Sequence, residues 1–338
     1  METIGSPLLW TAFAVVVVLA LLVDLVLMRH GGPHKVTFKE ATWWSLGWVA
    51  LAMAFNLWLW WHAGQQYGAE AGNRIGMEFL TGYLVEKSLA VDNIFVFLMI
   101  FTYFAVPEEQ KQRVLVIGII AAIVLRAILI FAGALLLAKF HWILYVFGAF
   151  LLLTGIKMIM AAGQAPDLDK NPVLRWMTGH VPFVRRYHGS ALWLGKGARR
   201  KFTPLFIVIV MIGITDVIFA VDSIPAIFAI TDDPFIVLTS NVFAVLGLRA
   251  LYFLLAGMAE KFHLLAYGLA LVLIFIGIKM LIVDFYKIPV AISLGVVAAL
   301  IASAMSSGGS AGRHSRGAPA CMRWQCRINR NRRILPSA

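Results

Sequence analysis

The stretch Glu86-Lys87-Ser88-Leu89-Ala90-Val91-Asp92-Asn93-Ile94 has a second copy, Asp216-Val217-Ile218-Phe219-Ala220-Val221-Asp222-Ser223-Ile224. Each copy sets a carboxylate six residues ahead of the aspartate of an Ala-Val-Asp-(Asn or Ser)-Ile core. Both lie in long apolar runs, where an ionised side chain is costly and marks function. Two acidic motifs in two matching hydrophobic segments form the pattern of a transporter built from internal repeats.

The rest of the chain agrees with a membrane setting. Of 338 residues, 61% are hydrophobic and only 14% charged, against roughly 25% charged in an average soluble domain. Apolar runs of about 20 residues follow one another almost without interruption, which predicts a polytopic helical protein. The net charge is +12. Seven arginines and no acids fall in residues 313–338; the other 22 basic residues stand against 17 acids, a net +5. That remainder gathers in loops on one side, so it reads as membrane topology and excludes a nucleic-acid-binding surface. Cys321 and Cys326 are the only cysteines and sit in the same tail, so the spans hold no disulfide framework and no thiolate metal site. Residues 7–28 lack a basic leader and a cleavage site and read as a retained first span.

Nine spans are predicted: about 7–28, 43–62, 76–104, 114–138, 141–161, 203–230, 236–258, 264–284 and 288–305. Arg29, Lys35 and Lys39, then Lys111 and Arg113, then eight Lys and Arg between 170 and 201 occupy alternate links. The link 231–235 has none. This places the N-terminus outside, the C-terminus inside and a basic loop, 162–202, in the cytoplasm.

Spans 3–5 recur as spans 6–8. Asp92 and Asp222 are 130 residues apart, Leu125-Arg126-Ala127 matches Leu248-Arg249-Ala250 at 123, and Phe140-His141 matches Phe262-His263 at 122. Gly155-Ile156-Lys157-Met158 matches Gly277-Ile278-Lys279-Met280, also at 122. Three spans is an odd number, so the second copy enters from the other side: an inverted repeat, about 76–161 and 203–284, with a site expected at the midplane.

Spans 3 and 6 exceed one straight crossing and are expected to tilt or break, with Pro225 and the nearly equivalent Gly82 and Gly213 as candidate break points. Pooled, the motifs offer Glu86, Asp92, Asn93, Asp216, Asp222 and Ser223, an oxygen-only set that suits hard divalent ions such as Mg²⁺, Ca²⁺ and Mn²⁺. Oxygen chemistry does not choose among those three. The competing structural reading pairs the acids with Arg126, Arg249 and Lys87; four acids against three bases leave an anionic surplus. A proton or Na⁺ pathway would use the same residues. Asp24 is read either as an interfacial carboxylate or as a guard at the cytoplasmic mouth. Asn241 is read as a ligand or as helix-to-helix glue. Lys157 and Lys279 are expected to snorkel.

Glu86 to Asn93, Thr215 to Ala226 and Thr239 to Phe253 closely resemble the TerC family of integral membrane proteins, and the likeness extends over roughly residues 5–305. The resemblance implies kinship with the LysE superfamily of exporters and links to Mn²⁺ efflux, to metal supply for exported enzymes and to tellurite resistance. By motif match it carries over Glu86, Asp92, Asp216 and Asp222, with Asn93, Ser223, Asn241, Arg126 and Arg249 beside them.

The expectation is an all-α integral membrane protein of about nine transmembrane helices with a 3+3 inverted repeat, in a bacterial inner membrane. It would export a divalent ion, Mn²⁺ first, by alternating access coupled to protons, with no prosthetic group and no enzymatic activity. Asp24, Lys87, Arg126, Pro225, Asn241 and Arg249 would support or gate the site. The alternative is an assembly or metallation factor contacting export machinery or exported metalloenzymes through the 162–202 loop, or a tellurite-resistance-associated membrane protein. Residues 306–338 read as an Arg-rich tail, disordered or frameshifted, after a last span that dissolves beyond Ser303.

Overall fold

A computed structural model describes residues 3–30, 37–140, 142–161, 201–256, 265–286 and 288–311, with short pieces between 182 and 195. The side chains of Asp92 and Asp222 lie outside the described residues, as do His141, His263 and the tail from 312.

Among the described residues the protein is all α apart from one two-stranded ribbon. In order come α1 (Pro7–His30), α2 (Phe38–Tyr67), α3 (Ala69–Tyr103), α4 (Glu108–Lys139) and α5 (Ile143–Ala161). The ribbon β1 (Trp193–Leu194) and β2 (Lys201–Phe202) follows. Then come α6 (Pro204–Phe228), α7 (Pro234–Leu246), α8 (Leu248–Ala256), α9 (Leu265–Leu281) and α10 (Val290–Ala311). A helix thus lies in each of the nine predicted stretches. By length and apolarity, α1, α4, α5 and α6 each suffice to cross a membrane, and the bent pair α7–α8 makes a fifth candidate. The helix α3 fails that test because it carries Arg74, Glu78, Glu86, Lys87 and Asp92.

Of the two alternatives expected for spans 3 and 6, tilt or break, the tilt is left, and one expectation about a helix end is corrected. Neither long span breaks: α3 runs 35 residues, about 52 Å at ~1.5 Å per residue, and α6 continues through Pro225 to Phe228. The interruption falls in span 7, at Gly247, with a bend of 42°. There Lys87 Nζ donates to the Ala244 carbonyl at 3.2 Å, satisfying an acceptor of the last turn of α7. A Cβ on residue 247 would sit 2.7 Å from Lys87 Nζ and 3.1 Å from Trp48 Cβ, so glycine is the residue that lets the lysine reach the break. The correction is at the end of the chain: α10 keeps a helical backbone through Ser-Ser-Gly-Gly-Ser to Ala311.

The interior is built around α3, which packs against α2, α6, α7 and α10. An aromatic cluster joins Phe13 of α1, Phe55 of α2, Phe79 of α3 and Phe235 and Phe243 of α7. Every residue of α7 is buried, so its hydroxyls turn back on their own helix: Thr239 Oγ1 to the Phe235 carbonyl at 2.7 Å and Ser240 Oγ to Ile236 at 2.8 Å. The outer faces are apolar, with Val15, Val18 and Leu19 of α1, Val124, Ile128 and Leu135 of α4, and Leu153 of α5 all exposed. Helices whose polar groups turn inward and whose oily faces turn outward suit lipid as solvent.

The helices α5 and α9 cross closely, glycine to backbone. A Cβ on Gly155 would meet the Ala270 carbonyl at 2.8 Å, and one on Gly277 would meet the Gly148 carbonyl at 2.8 Å. At one end of the bundle Tyr187 donates to the Phe104 carbonyl at 2.9 Å. Burial pushes its hydroxyl up to about 12, so it remains a donor. At the other end, Ile4 N and Thr3 Oγ1 donate to Asp233 at 2.6 and 2.8 Å while Asp233 caps α7 through Phe235 N.

Candidate functional site

Glu86 lies mid-way along α3, and Asp216 mid-way along α6. The two helices pack together with α4 alongside, so the first carboxylate of each motif copy faces Arg126 of α4. The guanidinium is fully buried. Its Nε donates to Asp216 Oδ2 at 3.3 Å and its Nη2 to Asp216 Oδ1 at 3.1 Å. Its Nη1 forms a close ion pair with Glu86 Oε1 and reaches Asn241 Oδ1 of α7 at 3.2 Å. One fork therefore holds α3, α6 and α7 to α4, a geometry that the planar guanidinium supplies and an ammonium does not.

Beside this cluster is a cavity of about 40 Å³, lined by Glu86, Asn93, Arg126, Thr154, Met158 and Ser223 among others. That is space for roughly three water-sized spheres. Glu86 Oε2, Asn93 Oδ1 and Ser223 Oγ are buried without a hydrogen-bond partner among the described residues, and so is Asn241 Nδ2. Buried polar atoms are nearly always paired, and an unpaired one calls for a ligand or water. Three unpaired oxygens line one small cavity, two from the first motif copy and one from the second, and oxygens of this kind could serve as donors to a hard cation.

The expected site residues thus divide. Glu86, Asn93 and Ser223 meet at the cavity; Asp216 does not line it and is engaged with Arg126 instead. Among the described residues no three acidic, His or Cys side chains converge to hold a metal ion. The predicted pairing of acids with arginine holds for Glu86 and Asp216, but Arg249, the repeat counterpart of Arg126, turns elsewhere. It forms an ion pair at 2.5 Å with Asp24 of α1, so Asp24 belongs to a separate buried pair away from the cavity. Lys87 serves the α7–α8 break, and Pro225 sits in the last turn of α6. Lys157 is exposed, whereas Lys279, expected to snorkel, is buried.

Thr154 and Met158, which line the cavity from α5, were not anticipated. Met158 ends the repeated Gly-Ile-Lys-Met motif, which signalled it; Thr154 stands out only as a lone polar residue in an apolar run.

A family model described as the integral membrane protein TerC family matches residues 71–312, which include every residue of the cluster and cavity. The chain belongs to the TerC family. Close TerC relatives are the Alx proteins of Salmonella typhi and Escherichia coli K12, each 55% identical over 297 residues, covering 88% of this chain and 92% of the relative. Both carry names that describe a candidate membrane-bound redox modulator. An uncharacterised membrane protein of Myxococcus xanthus is 44% identical over 318 residues, covering 93% of this chain and 97% of its own length. No solved structure matches the chain. The TerC match, the relatives and the apolar exterior together make this an integral membrane protein.

Proposed function

We propose that this TerC protein exports a divalent cation, Mn²⁺ first, across the cytoplasmic membrane by alternating access. The observation that carries the reading is the small buried cavity where unpaired oxygens of Glu86, Asn93 and Ser223 meet from the two copies of one motif. A hard ion takes carboxylate, amide and hydroxyl oxygens and keeps part of its water. Asp92 and Asp222, one in each motif, would complete the donor set and carry the exchanged protons.

The inverted-repeat architecture is part of the proposal. Three contacts support it: the equivalent helices α3 and α6, α4 and α7, and α5 and α9 each pack against one another. In such a bundle one repeat rocks against the other about a site at the midplane. The N-terminus would face outward and the basic 162–202 loop the cytoplasm. The redox name of the relatives finds no thiol support in residues 1–320, which contain no cysteine.

The test is Mn²⁺ movement in proteoliposomes, with and without a pH gradient. Glu86→Gln, Asp92→Asn, Asp222→Asn and Ser223→Ala are compared with wild type. Gradient-driven flux in wild type, abolished by the three carboxylate changes and reduced by Ser223→Ala, is the expected result. A well-folded wild-type protein that carries no divalent ion overturns the reading.

A further inference from the structure

Arg126 is usually the sort of residue dismissed as a structural counter-ion, but its neighbours do not balance. One guanidinium faces two carboxylates, Glu86 and Asp216, and all three side chains are buried. With both acids ionised, the cluster carries a surplus negative charge in a place where an unbalanced charge is costly. Its engagement of the two acids is also unequal. Asp216 is held at both oxygens, through Nε and Nη2, whereas Glu86 is held at Oε1 alone and keeps Oε2 unpaired at the cavity. Arg126 itself lines that cavity. A cation drawn in by Glu86 Oε2, Asn93 Oδ1 and Ser223 Oγ must then share Glu86 with a fixed positive charge.

We propose that Arg126 is a tethered competitor of the transported cation: the guanidinium and the ion contend for Glu86, and Asp216 is the anchor that keeps the guanidinium beside the site. Arrival of the ion drives Nη1 off Glu86 while the two-point pair with Asp216 persists. Departure of the ion restores the Glu86 pair, so no carboxylate is left bare in the closed bundle. The residue thereby holds affinity low enough for release. Only one of the two repeat arginines does this, because Arg249 is committed to Asp24. The inference rests on the cation-transport reading and concerns how that site lets go.

The test measures Mn²⁺ binding to purified protein by titration calorimetry, together with the melting temperature in Mn²⁺ and in chelator. Wild type, Arg126→Gln, Arg126→Lys and the charge-balanced pair Glu86→Gln with Arg126→Gln are compared. Removing one positive charge a few ångströms from the ion is expected to tighten Mn²⁺ binding in Arg126→Gln by roughly tenfold or more. Its fold should come to depend on the ion, melting far lower in chelator. Arg126→Lys should stay within a few fold of wild type, and the double variant, which lacks the contested carboxylate, should bind Mn²⁺ clearly more weakly than wild type and melt alike in Mn²⁺ and in chelator. Net flux in Arg126→Gln should fall because release slows. Binding no tighter than wild type in folded Arg126→Gln overturns the competitor role, even if wild-type flux upholds the transport reading. If Arg126→Gln folds in neither condition, the comparison passes to Arg126→Lys and the double variant, and Mn²⁺ affinity in the double variant equal to wild type overturns it. Wild type without flux overturns the transport reading, and tighter binding in Arg126→Gln would still support the contest for Glu86.

Discussion

Asp24, buried, and Arg249, partly buried, form an ion pair at 2.5 Å between α1 and α8, with side-chain exposures of 7% and 13%. The sum of two desolvated charges is seldom a large net gain, but removing one partner leaves the other uncompensated, at a cost of about 3–5 kcal/mol. Asp24→Asn should therefore lower the melting temperature in detergent sharply. Replacing both, Asp24→Leu with Arg249→Met, should recover most of the loss, since an apolar pair of similar volume is near neutral. A double variant as unstable as the single one would mean that the pair does more than satisfy itself. The pairing was hidden in the sequence because Asp24 lies outside both repeats, and no periodicity links a residue of α1 to one 225 positions away. Glu86, Asn93 and Ser223 were legible for the opposite reason. A motif written twice in apolar surroundings exposes its polar members, and the cavity gathers three of them.

At the scale of elements, the helices were readable because apolar runs are local, whereas their interruptions were not. Proline and glycine suggested breaks in spans 3 and 6, yet Gly82 serves close packing instead: a Cβ there would stand 2.9 Å from Ser240 Oγ. The break at Gly247 depends on Lys87, a contact between residues 160 apart in the chain. Likewise the repeated Gly-Ile-Lys-Met motif marked the repeat without revealing that its glycines seat α5 against α9. That contact gives a differential prediction. In Gly277→Ala the new methyl meets Leu152 N at 2.7 Å and the Gly148 carbonyl at 2.8 Å, both backbone atoms. The helices must part, at about 1–3 kcal/mol by the usual cost of overpacking. Nothing lies within 4 Å of a Cβ on Gly213, and alanine there should stabilise α6 by roughly 0.5–1 kcal/mol. Thermal melts of the two variants should move in opposite directions.

The whole molecule is asymmetric from end to end. One end holds a cavity of about 950 Å³ whose walls include Ile4, Tyr67, Arg74, Glu78, Ala138 and Asp233. A polar chain runs along its wall, from Ile4 and Thr3 to Asp233, from Asp233 N to Thr231, and from Thr231 to Glu78 at 2.7 Å. The opposite end carries the ribbon, where Thr203 Oγ1 donates to the Ala191 carbonyl at 2.8 Å and Tyr187 to Phe104. Along α3 the central Glu86 lies eight residues below Glu78, about 12 Å in a helix. Glu86 thus lies about two helical turns below Glu78 of the wide cavity. In the proposed topology the end with this cavity faces outward and the ribbon faces the cytoplasm. With Cys321 and Cys326 replaced by serine, Ala138→Cys should react with a membrane-impermeant maleimide added to intact cells. Trp193→Cys, half-exposed on the ribbon, should react only in inverted vesicles. Flux retained by both variants keeps the labelling tied to a working fold. Labelling of both positions from the same face contradicts the orientation, because the length of α3 and α4 puts them at opposite ends of one bundle.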